Sequence, residues 1–168
     1  MDKLITYAYM RAETGISLHV PDIKLDKPIE QAQERIRDLM GVPFYSDFLG
    51  KILNNTADAT YAGLFDPYVK KYLAFQAYEL WLPAANVFSS GTGMRTFVED
   101  NSEVADSKTM SEIIRYASQQ TGFYKGSLLT YLKDNASLFP LYNSGPCGTS
   151  SGMGAQFHIT RIGGRKRW

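Results

Sequence analysis

The side chains able to do chemistry are few and scattered. Cys147 is the only cysteine, so neither an internal disulfide nor a cysteine-cluster metal site can form. As a nucleophile it would need a histidine beside it and a rigid turn to present it. Its neighbours are instead Ser144-Gly145-Pro146 and Gly148-Thr149-Ser150-Ser151-Gly152-Met153-Gly154, the composition of a linker. His19 and His158, the only histidines, lie roughly 140 residues apart and lack the spacing of a metal site. Ser90-Gly91-Thr92-Gly93 is glycine-rich, but no Gly-Lys-Ser/Thr ending follows, so it reads as a turn rather than a phosphate loop. Glu99, Asp100, Glu103 and Asp106 could hold a cation or move a proton only if something buried them or made them converge. In a polar run a solvated acidic surface is the expected state. No catalytic residue, metal site or cofactor is therefore expected.

The totals of the chain agree with that emptiness. At 168 residues, with 44% hydrophobic and 21% charged residues, the chain has the size and balance of one globular domain. Eleven Tyr and nine Phe supply either a thick core or broad contact surface. Net charge is +1, which gives the bulk no attraction for nucleic acid. Its distribution is uneven: residues 155–168 carry Arg161, Arg165, Lys166 and Arg167 without an acid, leaving about −3 on the rest. The single cysteine fits a reducing cytosol. Met1-Asp2-Lys3-Leu4-Ile5-Thr6-Tyr7 lacks the apolar core of a secretory signal, so the Asn54-Asn55-Thr56 and Asn135-Ala136-Ser137 triplets carry no meaning as glycan acceptors.

The elements that would position any function are helices. Asp66-Pro67 has the chemistry of a helix start, a carboxylate that accepts from first-turn amides and a proline where its missing N–H costs nothing. Behind it Tyr68, Val69, Tyr72, Leu73, Phe75, Ala77, Tyr78, Leu80, Trp81 and Leu82 wrap the whole circumference at about 100° per residue. A helix of that kind over 66–82 is the buried centre of a bundle. Four polar or charged residues and three tyrosines argue against a membrane span. Ahead of it, Ile16-Ser17-Leu18-His19-Val20 alternates like a short extended segment. An amphipathic helix from about Leu25 follows, with Pro28 in its first turn, Ile29, Ala32, Gln33, Ile36, Leu39 and Met40 on one side, and Gly41 then Pro43 to end it. Phe44, Tyr45, Phe48, Leu49 and Ile52 mark a second periodic piece, and residues 54–58 a loop.

After Pro83, which should kink or restart the helix, the chain changes character. Val87-Phe88-Ser89 and Met94-Arg95-Thr96-Phe97-Val98 read as two arms of a hairpin near 87–98. Thr109-Met110-Ser111-Glu112 has capping-box spacing, and Ile113, Ala117, Gln120, Tyr124, Leu128, Tyr131 and Leu132 form a stripe to about Asn135. Gly122 and Gly126 each cost about 1 kcal/mol against alanine in a helix, which predicts close packing or a bend there. The expected organisation is a helical domain over 1–140, a linker over 141–154 and a basic arm over 155–168. The fold class is mainly α, a helical bundle around a central buried helix, with a short β-hairpin and an extended C-terminal arm. Within that arm Phe157-His158-Ile159-Thr160-Arg161-Ile162 is strand-like and has no internal partner, so it needs another edge to dock on.

The order of pieces matters: Ile29-Glu30-Gln31-Ala32-Gln33-Glu34-Arg35-Ile36, then Tyr72-Leu73-Ala74-Phe75-Gln76-Ala77-Tyr78, then a hairpin with Gly93-Met94-Arg95-Thr96, then Ser111-Glu112-Ile113-Ile114-Arg115-Tyr116-Ala117. Over roughly residues 20–140 this resembles the small helical head–tail connector (adaptor, neck ring) proteins of tailed bacteriophages, especially crAss-like and related Bacteroidetes phages. The resemblance implies a non-enzymatic virion protein assembled in the host bacterial cytoplasm. It would form a homo-oligomeric ring, commonly of twelve copies, beneath the portal protein. Adjacent neck or tail rings would be its other partners, with DNA passing without sequence specificity and no membrane. Candidate interface residues are Arg95, Phe97, Phe157, Ile159, Arg161, Ile162, Arg165, Lys166, Arg167 and Trp168. The alternative is a small nucleic-acid-binding helical protein that uses the basic tail, whose affinity would fall steeply with salt. A third, an enzyme built on the acidic loop near Glu99–Asp106, has no positive sign in the residues.

Overall fold

The computed structural model describes residues 3–85, 87–90, 93–96 and 107–143. Its first helix, α1 (Tyr7–Thr14), occupies a stretch that the sequence pattern leaves without an element. Thr6 caps it, its hydroxyl accepting from the Tyr9 amide at 3.1 Å, and Gly15 ends it at φ +73° with its N–H on the Arg11 carbonyl. That left-handed stop is one only glycine adopts cheaply. The extended segment expected over 16–20 is a turn instead. Val20 N–H bonds back to the Ser17 carbonyl, and the Arg11 guanidinium donates to the Val20 carbonyl at 2.7 Å, using the acceptor a strand partner would need.

Helix α2 (Ile23–Met40) turns Leu25, Pro28, Ile29, Ala32, Gln33, Ile36 and Met40 inward, so the expected stripe is the one that packs. It begins earlier than the first-turn rule for Pro28 implies, because Leu25 N–H closes a tight entry turn on the Asp22 carbonyl. Pro28 then lies in the second turn and is buried. Buried Gln33 accepts from the Leu4 amide at 2.8 Å, which fastens the N-terminal strand of chain to α2 and satisfies the amide oxygen. Gly41, at φ +82°, ends α2, and Pro43 opens α3 (Val42–Leu53). From α3, Phe44, Tyr45 and Phe48 are buried.

The central helix departs from expectation at its start. The cap is Asp58, whose carboxylate accepts from the amides of Thr60 and Tyr61 at 3.0 Å each, opening α4 (Ala59–Leu64). The chain then runs through a wide π-helical turn, Phe65–Val69, into α5 (Lys70–Ala85). Asp66-Pro67 therefore sits in mid-run. Pro67 has no N–H to give the preceding turn, and a π turn, closed by Lys70 N–H on the Phe65 carbonyl, accommodates the lost bond. Asp66 pairs with Lys70 at 2.5 Å. Pro83, exposed, neither breaks nor restarts the helix, which continues to Ala85.

Helix α5 is the centre, as its all-round apolar pattern demands. Tyr72, Leu73, Ala74, Phe75, Gln76, Ala77 and Leu82 are buried, and α1, α2 and α6 (Ser107–Asp134) all pack on it. Helix α6 starts two residues before Thr109, so the capping-box residues lie within its first turns. Val87–Ser90 (β1) and Gly93–Thr96 (β2) pair antiparallel, with Val87 opposite Thr96. A turn at Ala136–Leu138 leads to α7 (Pro140–Asn143), so the helical body runs to Asn143 rather than stopping at Pro140. Phe139, fully buried, and Tyr142 lie 5.4 and 5.8 Å from the Phe44 ring, and Phe48 and Tyr61 complete this aromatic knot.

Two substitutions test this account by chemical denaturation. Asp58→Ala removes the carboxylate from two first-turn amides and lowers the unfolding free energy by about 1 kcal/mol. Leu73→Ala empties a fully buried site on α5 and lowers it by about 2–5 kcal/mol.

Candidate functional site

Two clusters of titratable groups stand out in the body, and both are closed on themselves. In the first, the Lys3 ammonium donates to the Asp26 carboxylate and to the Tyr7 hydroxyl, while Tyr7 donates to the same carboxylate. These bonds hold the Asp26 carboxyl below the ordinary carboxylate range and push Lys3 up to about 12. In the second, the Tyr61 hydroxyl donates to Asp47 at 2.7 Å, and Lys51 reaches the same carboxylate at 3.0 Å while lying 3.9 Å from the Tyr61 ring centre. Tyr61 and Lys51 depress the Asp47 carboxyl, and burial raises the Tyr61 phenol. Every shift moves its group away from neutrality, the opposite of what general acid–base work requires. Both clusters fasten helices: the first joins the N-terminal segment and α1 to α2, the second α3 to α4.

An open feature of the body lies on α6. Its inward stripe, with Ala117, Thr121, Leu128 and Leu132 buried, faces α5. Beside that stripe the Tyr131 ring stacks on Tyr68 from the π turn at 4.6 Å, and Tyr124 stacks on Phe75 at 5.3 Å. Beyond these stacks a groove of about 580 Å³ opens to solvent, lined by Tyr68, Gly122, Phe123, Gly126, Ser127 and Tyr131, with Thr130, Asp134 and Asn135 at its end. The two glycines do not serve close packing, as expected from their cost. A Cβ at either would meet nothing within 4 Å, and both lie on the exposed face. Their missing side chains leave the groove open.

On this flank Phe123 is 65% exposed and Tyr116, seven residues earlier and so on the same side, is 52% exposed. Along the helix their neighbours Gln119, Gln120, Ser127 and Thr130 are uncharged, with exposed Glu112 one turn before Tyr116 and Asp134 at the far end of the same side. The Ser127 hydroxyl is turned back onto the Phe123 carbonyl at 3.0 Å. Between those two carboxylates the flank presents rings and backbone-like surface, suited to apolar contact.

Few of the residues singled out in the sequence fall inside the described structure. Arg95 lies in β2, opposite Phe88. His19 is exposed in the turn after α1. Phe97, the acidic run Glu99, Asp100, Glu103 and Asp106, Cys147, His158 and the arm residues Phe157, Ile159, Arg161, Ile162, Arg165, Lys166, Arg167 and Trp168 lie outside the described residues. Among the described residues no group of three or more His, Cys, Asp or Glu could hold a metal ion, and no helix is long and apolar enough to cross a membrane. Phe123 escaped the sequence reading because it lies off the buried stripe. The usable signal was the pair of costly glycines one turn apart.

Residues 36–152 match the model of a family of unknown function, DUF6712, and the chain belongs to that family. No curated protein and no solved structure matches it.

Two measurements check these assignments. Gly126→Ala raises the unfolding free energy by about 1 kcal/mol, since it improves helix propensity at an open position. Asp26 contributes stability above its unfolded pKa that is lost as pH falls through its depressed folded value. Asp26→Asn therefore lowers the melting temperature near pH 7, and the gap to wild type closes as pH drops below about 4.

Proposed function

We propose that this chain is a structural virion protein, a subunit of a homo-oligomeric ring in the head–tail connector or neck of a tailed bacteriophage. The ring, of twelve copies, sits beneath the portal protein, contacts the adjacent neck or tail rings, links capsid to tail and lines the channel through which DNA passes. It is assembled in the host bacterial cytoplasm. The observation that carries this reading is the α6 flank, where Tyr116 and Phe123 stand exposed on one helix side between the carboxylates of Glu112 and Asp134. Scattered exposed apolar residues are ordinary, but two aromatics on one helix side beside an open groove have the composition of a subunit interface.

Two further points support it. The order of helices along the chain is what carries the resemblance to connector proteins. A net charge of +1 lets like subunits stand side by side with little repulsion. In this reading the hairpin, with Arg95 and Phe97, and the C-terminal arm extend the body outward, and the arm docks on neighbouring subunits through Phe157, Ile159, Arg161 and Ile162. Arg165, Lys166, Arg167 and Trp168 reach the next surface.

The basic cluster Arg165-Lys166-Arg167 favours a second reading, a small nucleic-acid-binding helical protein. The two part in one experiment. Light scattering and electron microscopy of the purified chain, alone and with its portal, give closed rings if the connector reading holds. A monomer under both conditions that binds DNA with an affinity collapsing between low and moderate salt gives the second reading instead.

A further inference from the structure

The groove on α6 is open at a place where the helix pays no structural role in return. From Tyr116 to Thr130 the flank extends about 20 Å at ~1.5 Å per residue, and Asp134 at its end is the one charged residue among those lining the groove. The segment Phe157–Ile162 matches it in length and in chemistry. Six residues in extended form also cover about 20 Å, and alternation puts Phe157, Ile159 and Arg161 on one side. Two apolar side chains would enter the groove as the arginine meets the carboxylate. Residues 155–168 contain no acid to oppose that approach.

We propose that the α6 groove seats Phe157–Ile162 of a second copy of the chain; this deepens, and rests on, the ring reading above. Chain length permits the second copy, and the ring reading selects it. The body ends at Asn143 close to the groove, since Phe139 lies 6.3 Å from Tyr131, which lines it. A return to its own groove would need only a few intervening residues. The stretch 144–156 reaches up to ~45 Å at ~3.3–3.6 Å per residue. That is comparable with the ~40 Å diameter expected of a chain this size, whose radius of gyration is ~15 Å. At that reach the segment can pass its own body to a neighbour, and repeated head-to-tail seating closes a ring when the rotation allows it.

The test uses the full chain in a Cys147→Ser background with Gly126→Cys and Ile159→Cys together. Mild oxidation is expected to give a ladder of intermolecularly linked oligomers on a non-reducing gel, absent from either single-cysteine chain beyond a dimer band. An internally bridged monomer, or no link at all, overturns the proposal. Gly126→Leu, which fills the groove where a Cβ meets nothing, is expected to weaken self-association roughly tenfold with the melting temperature maintained. Unchanged association in this folded variant overturns the proposal as well. Rings without the ladder sink the groove and leave the ring reading standing. A ladder in open oligomers without closed rings supports the groove and sinks the ring.

Discussion

A helix apolar around its whole circumference can be solvated on no face, and the arrangement of this protein follows from hiding one. Helix α5 carries Tyr72, Leu73, Phe75 and Ala77 on different sides, so a single partner helix cannot cover it. Helices α1, α2 and α6 each take a side, and each does so with a stripe of its own. Within α5 the buried amide of Gln76 is satisfied by its own helix: it accepts from the Tyr72 hydroxyl at 3.1 Å and donates to Glu79 at 3.2 Å. Unpaired, such an amide would cost on the order of 1–3 kcal/mol.

The π turn at Phe65–Val69 lets one helical run serve two neighbourhoods. Before it, Tyr61 and Leu64 are buried, Tyr61 against the aromatic knot of Phe44, Phe48 and Phe139. At its end Val69, and beyond it Leu73, join the main core. The extra residue in the wide turn shifts the helical register, and it also brings Tyr68 over Tyr131 of α6. Pro67, which would distort a regular helix here, is thus part of how α4, α5 and α6 meet. That stack is one wall of the α6 groove, so the wide turn and the open surface are physically linked.

Polar chemistry in this body is spent on holding helices together. Lys3, Tyr7 and Asp26 saturate one another, as do Asp47, Lys51 and Tyr61, which leaves no poised acid or base between them. Surface character then decides what the fold can offer a partner. On α6 this is a flank with two exposed rings and two glycines, and the glycines cost helix stability and return none within the monomer. A surface of that kind makes sense when a second chain covers it.

The helical class, the inward stripe of α2, the stop at Gly41 and the burial of α5 on all sides could be read from the amino-acid order alone. Each depends on spacing within one helix or on the torsional preference of one residue, and both are local properties. Other features needed partners distant in sequence. Ile16–Val20 has strand-like alternation, yet Arg11 takes the Val20 carbonyl first. Asp66-Pro67 has every mark of a helix start, but Asp58 caps the run, and a π turn carries the proline within it. Gly122 and Gly126 suggested tight packing or a bend, and only the placement of α6 on α5 turned them outward. In each case the local preference was correctly recognised and a three-dimensional neighbour decided whether it could be expressed, because the free energy of packing and hydrogen bonding across elements exceeds that of any single local signal.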